Sequence, residues 1–369
     1  PFPNPKSPHS NRIAMCEPLS RFLGIAVVLS LIASSPAVAQ PAGVSPGDYA
    51  GHRVDGATVI VEGERATARI SFYRPEMVRV EWLPSGVASA DTSFAVIRTP
   101  DHRPTVRETE EAIYLRTPEL TATVHKTPLR ITTADDRGRT LLAEMDRPLL
   151  VADSTRTVQF ASDSTLAVYG TGERGGSFNL QGRAFDVYNT QRYGYNEAPA
   201  TMKINIPLAV TTGGFALFMD EVDRGRFDIG ASAPGRLAYT SEYGAVSYVV
   251  IAAGTIREQL RHYTWLTGRQ PLPPKWALGY IQSKYGYRTE AEARGVVDTL
   301  RTKQFPVDTV VLDLHWFEHM GDLAWNREGW PTPFRMMRDL EEKGVQTVAI
   351  TETYMAEPSD LFEPAIEGG

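Results

Sequence analysis

Val307-Asp308-Thr309-Val310-Val311-Leu312-Asp313-Leu314-His315-Trp316-Phe317 decides the fold of this chain. A short run rich in Val and Leu that stops at an acidic residue is the pattern of a parallel strand buried on both faces. Downstream, Thr332-Pro333 opens a helix, Gly344 closes it, and Val345–Thr351 is the next strand. Upstream, Thr289 with Glu292 forms a capping box. The helix it opens carries Ala293, Val296, Val297 and Leu300 on one face, and a strand over Leu278–Gln282 precedes it. Strand starts about 30 to 38 residues apart are the spacing of βαβ units. A closed (β/α)8 barrel takes about 250 residues and about 95 follow Pro274, so about three strands and two helices of a barrel fit. An open doubly wound sheet is the alternative, and it too would be incomplete.

Before this region the periodicity differs. From about Thr58 to Ile251 the chain reads as short strands: Ala66–Tyr73, Met77–Leu83, Ile113–Arg116, Leu120–His125, Leu129–Thr133, Thr140–Ala143, Leu166–Tyr169, Ile204–Val210, Phe215–Met219 and Val246–Ile251. Asp135-Asp136-Arg137-Gly138 has hairpin-turn chemistry between two of them. Strands this short and frequent indicate a β-sandwich. A polar and aromatic stretch, Gly170–Ala200, interrupts them and suits either a packed loop or a sugar contact. Its Gly172-Glu173-Arg174-Gly175-Gly176 piece lacks the G-K-[ST] ending of a nucleotide loop. After the strands come a helix over Thr255–Leu266, capped at Gly268, and the stiff linker Pro271-Leu272-Pro273-Pro274.

The expected organisation is therefore multidomain, β followed by α/β. Residues 1–39 are upstream residues and a signal peptide, and 40–253 an N-terminal β-sandwich. Helix and linker occupy 254–273, and 274–369 are the start of a truncated (β/α)8 TIM barrel. The signal reading rests on Arg21, the apolar run Phe22–Ile32 and the small-residue site Ala37-Val38-Ala39. A membrane anchor is the alternative, but a span takes about 20 apolar residues. Export to the periplasm or the medium is the expected localisation, with no membrane partner after cleavage. Cys16 is the only cysteine and lies inside that segment, so the mature part would have neither disulfide nor thiol chemistry. Net charge is -6, from 38 Lys and Arg against 44 Asp and Glu, with no basic run, which argues against a nucleic-acid partner.

In βα folds working residues sit at the carboxyl ends of strands. The candidates are Tyr285 and Tyr287 after the first strand, Asp313, His315 and Trp316 after the second, and Glu352 after the third. A carboxylate ending an apolar strand is costly unless paired or working, so Asp313 either has a structural task, capping backbone amides or binding an Arg, or works on a ligand. His315 could be a ligand, a base or a sugar hydrogen bonder, or else a surface or packed histidine. The seven His residues show no ligand spacing, so no metal and no cofactor are expected.

Taken in order, these segments resemble glycoside hydrolase family 31. The resemblance is carried by Tyr169-Gly170-Thr171-Gly172-Glu173-Arg174, by Tyr188-Asn189-Thr190 and by Tyr263 to Gly279. It continues in Gln282-Ser283-Lys284-Tyr285-Gly286-Tyr287, Val310 to Phe317, Leu323-Ala324-Trp325-Asn326 and Trp330-Pro331. It implies a galactose-mutarotase-like sandwich, then a barrel that acts on α-glycosidic bonds of oligosaccharides or glycosides. The implied mechanism is retaining, with one carboxylate attacking the anomeric carbon and a protonated one donating to the leaving oxygen. The family's two catalytic Asp residues lie on later strands, so no catalytic residue is expected up to residue 369, and this chain alone would be inactive. What carries over is substrate binding, by Asp313, Tyr285, His315 and Trp316. His315 stands where many α-glucosidases have Asp, and Thr353 where many members have Pro. The loop Arg192–Ala200 is expected to reach toward the substrate. Alternatives within the family are a transglucosidase, an α-xylosidase or an α-galactosidase; outside it, a non-catalytic carbohydrate-binding protein. Oligomeric state is left open.

Overall fold

The computed structural model describes residues 44–89, 93–191, 199, 201–352 and 355–368. The expected leader with Cys16, the Arg192–Ala200 loop apart from Pro199, and Thr353 lie outside them. The described residues divide into two compact units: 44–89 with 100–256, and 93–99 with 257–368.

The first unit is a β-sandwich of one eight-stranded and one nine-stranded antiparallel sheet. Alternation builds it. In the hairpin of Leu120–Lys126 and Leu129–Asp135, Leu120, Ala122, Val124, Leu129 and Ile131 turn inward and are buried, and the residues between them are partly exposed. The turn after Asp135 forms as its residues dictate, with Asp135 Oδ1 accepting from the Arg137 and Arg139 amides at 3.1 and 2.8 Å. In the eight-stranded sheet, Phe215–Met219 and Val246–Ala252 are buried along their whole length. Between the sheets sits one acid. Glu144 accepts from Trp82 Nε1 at 2.6 Å, Tyr248 Oη at 2.8 Å and the Ile131 amide at 2.6 Å. Phe160, paired with Glu144 beyond a register irregularity, meets Tyr248 edge-on at 5.0 Å. Burial pushes Glu144 up to about 7, and the three donors oppose that rise.

The strand Val168–Gly172 ends in three consecutive residues of positive φ. Gly170, Thr171 and Gly172 have φ of 95°, 64° and 87°, and the register against Asn205–Thr211 shifts between the two glycines. A Cβ on Gly170 would lie 2.7 Å from the Leu208 carbonyl oxygen, and one on Gly172 2.4 Å from that of Ile204. Close backbone approach and left-handed φ together require glycine at both. Thr171, though buried, keeps its hydroxyl as acceptor for Arg174 Nε at 3.1 Å.

Two sequence expectations need correction. Gly170–Ala200 is not free of strands, because Arg183–Val187 pairs with Gly225–Ile229 at the edge of the nine-stranded sheet. Its inward residues, Phe185 and Val187, are only two, too few to stand out in a polar stretch. The strand expected over Leu278–Gln282 is shorter. Lys275–Leu278 is a 3-10 turn, closed by the Ala277 amide on the Pro274 carbonyl at 3.0 Å, and only Ile281–Gln282 is strand. Asp308 fixes that start: its Oδ2 accepts from the Tyr280 amide at 2.9 Å.

In the second unit three parallel strands lie in the order Ile281–Gln282, Thr309–Leu312, Gln346–Ala349. The helices Glu290–Thr302 and Pro333–Glu342 connect them as expected. Thr289 Oγ1 caps the first by accepting from the Glu292 amide at 3.2 Å, but Glu292 returns its bond to the Arg288 amide rather than to Thr289. Ala293 and Val297 are buried and Val296 and Leu300 pack beside them, one apolar face as read. A helix over Ile256–Thr267 also belongs to this unit, where its Leu266 carbonyl accepts from the Ile97 amide at 3.0 Å. Among the described residues no helix is long and apolar enough to cross a membrane.

Candidate functional site

Parallel pairing puts the three carboxyl ends side by side, Gln282 beside Val310 and Leu312 beside Ala349. Whatever follows each strand therefore meets at one edge of the sheet. Asp313 follows the central strand, half-buried. Its Oδ1 accepts from the Leu314 amide at 2.8 Å, and its other oxygen has no partner among the described residues. One oxygen thus caps the strand end.

Next to it, His315 and Tyr285 come together across the loops, rings tilted 49° with centroids 5.0 Å apart. Tyr285 is 69% exposed. His315 is half-buried and its Nε2, shielded from solvent, has no hydrogen-bond partner among the described residues. The pair presents an aromatic face, two residues along the chain from Asp313 and its uncommitted oxygen. That is what a neutral polyhydroxyl ligand needs: a donor or acceptor edge and a flat apolar wall.

Trp316 is placed differently. It is 8% exposed, its Nε1 donates to the Ile350 carbonyl at 2.8 Å, and its ring meets those of Phe317 and Trp325 at 5.0 Å each. Its polar atom is used in tying the second strand end to the third. Tyr287 is buried, accepting at its hydroxyl from Gln282 Nε2 at 2.8 Å. Glu352 is exposed.

Residues that the motifs quoted without assigning a task turn out to hold the site. Trp330 donates from Nε1 to the His315 carbonyl at 2.9 Å, and Trp325 lies between Trp316 and Trp330. Beneath them Glu290 accepts from the Thr332 amide at 3.0 Å, the Thr332 hydroxyl at 2.9 Å and Arg294 Nε at 3.1 Å. Burial alone would raise Glu290, but these donors hold it below the usual carboxylate range. Arg294 also pairs with Asp339 at 2.8 Å, joining the two helices. The spacing of Trp316, Trp325 and Trp330 follows no period, so no pattern in the sequence marks them as one cluster.

Among the described residues, no group of three or more His, Cys, Asp or Glu is placed to hold a metal ion.

Comparison with known proteins covers both units. The family model for the glycosyl hydrolase 31 N-terminal galactose mutarotase-like domain matches residues 67–228. That for the glycosyl hydrolases family 31 TIM-barrel domain matches 270–369. Alpha-glucosidase 2 of Bacillus thermoamyloliquefaciens is 33% identical over 77% of this chain and 37% of its own length. The alpha-xylosidase XylQ of Lactiplantibacillus pentosus is 30% identical over 55% of this chain and 27% of its own. A dextranase of Flavobacterium johnsoniae, solved with glucose, superposes with a TM-score of 0.81 at 21% identity, covering 85% of this chain and 39% of the dextranase. The chain thus spans well under half the length of each of these relatives.

Proposed function

The chain belongs to glycoside hydrolase family 31, and from that premise we propose that it is part of an α-glucosidase-like enzyme whose glycon it binds at the edge of the parallel sheet. The observation that carries this reading is Asp313 at the end of the central strand, one oxygen fixed by the Leu314 amide and the other uncommitted, in the segment where His315 meets Tyr285. A carboxylate held this way accepts sugar hydroxyls in charge-assisted bonds and sets the ring against the reacting groups. Those groups are a nucleophilic and an acidic carboxylate working with retention. We place them on barrel strands other than the three described. Trp316 acts as a wall rather than a donor, its indole nitrogen being already bonded. The segment 15–40 directs export, which N-terminal sequencing of the exported protein tests; an unprocessed Met15 would contradict it.

The test of the main reading is Asp313→Ala in the complete enzyme. Loss of a charged sugar contact costs about 1.5–3 kcal/mol, roughly 10- to 150-fold in kcat/KM. An unchanged kcat/KM would remove Asp313 from the site. His315 favours a second reading, an α-xylosidase, because it stands where many α-glucosidases carry an Asp. The ratio of kcat/KM for aryl α-xyloside and aryl α-glucoside decides between the two.

A further inference from the structure

We propose that the sandwich carries a carbohydrate-binding site of its own, floored by Tyr239 and Glu221 and walled by Tyr188, Asn189 and Asp223. The site is independent of the strand-end reading, since it lies wholly within the first unit.

The cavity has a volume of about 450 Å³, within the range of small-molecule sites. Its floor is unusual. Tyr239 is only 1% exposed and lines this cavity, and its hydroxyl forms no hydrogen bond to another described residue. A phenol hydroxyl without a protein partner can donate to or accept from a ligand hydroxyl. The chain makes room for it: Gly225 lies under the ring end, and a Cβ there would stand 1.9 Å from Tyr239 Oη. Phe227, directly opposite Tyr239 in the ladder, holds the ring edge-on at 4.9 Å.

The walls supply the rest of what a sugar needs. Asn189 uses its side-chain oxygen to accept from the Asn205 amide at 2.7 Å, which leaves its side-chain nitrogen as a donor. Asp223 is exposed and offers an acceptor. Tyr188 is 54% exposed and offers a ring face. Glu221 is held in place by the Ser241 hydroxyl at 3.0 Å and by the Ser247 amide. Burial, then the neighbouring Asp220 and Asp223, push Glu221 up to about 8, so near neutral pH it holds a proton and can donate as well as accept.

The same inventory excludes other ligand classes. An anion would need an available cation, but Arg224, whose guanidinium lies 5.4 Å from the Tyr188 ring, is paired with Asp186 at 3.6 Å. No metal-holding cluster of His, Cys, Asp or Glu occurs among the described residues. A neutral ligand with several hydroxyls and one apolar face remains, a monosaccharide or a sugar end.

Calorimetric titration of the chain with methyl α-D-glucoside, D-xylose and D-galactose tests this. Asp313→Ala should leave binding of at least one of them in place, and Tyr239→Phe should weaken that binding about five- to tenfold at unchanged Tm, the loss of one hydrogen bond. Asp223→Asn, on an exposed loop, should weaken it as well and guards against a folding defect at Tyr239. Three results would overturn the proposal: no saturable binding of any of the three, binding equal in Tyr239→Phe and Asp223→Asn to the parent, or binding abolished by Asp313→Ala alone. The last would uphold the strand-end site while removing this one.

Discussion

The two units bury their strands in different ways. In the sandwich two antiparallel sheets cover each other, and their inward residues, from Val59 and Trp82 to Leu217 and Val250, are inaccessible. In the second unit only the central strand is mostly buried; Ile281 at one edge is 44% exposed and the flanking strand Gln346–Ala349 is half-exposed. The difference follows from topology. An antiparallel sheet closes with its own hairpins, whereas a parallel strand depends on helices and neighbouring strands supplied by other βα units. The sandwich is thus a self-sufficient core, and the parallel unit leans on the aromatic cluster of Trp316, Trp325 and Trp330 and on Glu290.

The comparison can be broken at both cores, at a buried acid and at a helix cap. Trp82→Ala should cost the sandwich about 3–5 kcal/mol, from the cavity and the donor lost to Glu144. Denaturant unfolding followed through a sandwich probe checks it, and a loss below that of Leu312→Ala would reverse the ranking of the two cores. For Leu312→Ala about 2 kcal/mol is expected, the low end of the range, because half-exposed neighbours let the site collapse.

A pH titration of stability probes the sandwich alone. Glu144 has a folded pKa of about 7 against an ordinary 4.5, so the folded state holds its proton more tightly. Its stabilising contribution is full below pH 4.5 and is lost as pH rises through 7, a change of about 3 kcal/mol. Glu144→Gln should flatten that slope; an unaltered slope would assign it elsewhere, Glu221 being the next group of the same sign. The smallest effect belongs to the second unit. Thr289→Ala removes a helix cap worth about 1 kcal/mol, and hydrogen exchange of the Glu292 amide should report it first.

What was legible in the sequence divides along the same line. The parallel strand Thr309–Leu312, its two helices and the caps at Thr289 and Gly344 could be read because each is fixed by local chemistry. Strands such as Thr155–Ala161 and Arg236–Glu242 escaped reading, since their ladder partners set them and their own polar residues hide the alternation. At the strand-end site, Asp313 was visible as an acid closing an apolar run. The support of His315 by Trp330 was not, because 15 residues of irregular chain separate donor from acceptor. Tyr239 escaped for a related reason: its partnerless hydroxyl is a fact of packing above Gly225, and a tyrosine in a strand reads the same whether its oxygen is bonded or not.

The turn of backbone at Gly170-Thr171-Gly172 bears on mutational tolerance. In a saturation library of this segment the two glycines should behave like core residues although they bury no side chain, because a Cβ at either would strike a carbonyl oxygen of the neighbouring strand. Position 171 should instead tolerate Asn, which enters left-handed conformations readily, and reject Val or Ile. Here the selected trait is empty space, and a substitution matrix built on side-chain chemistry would score these sites wrongly.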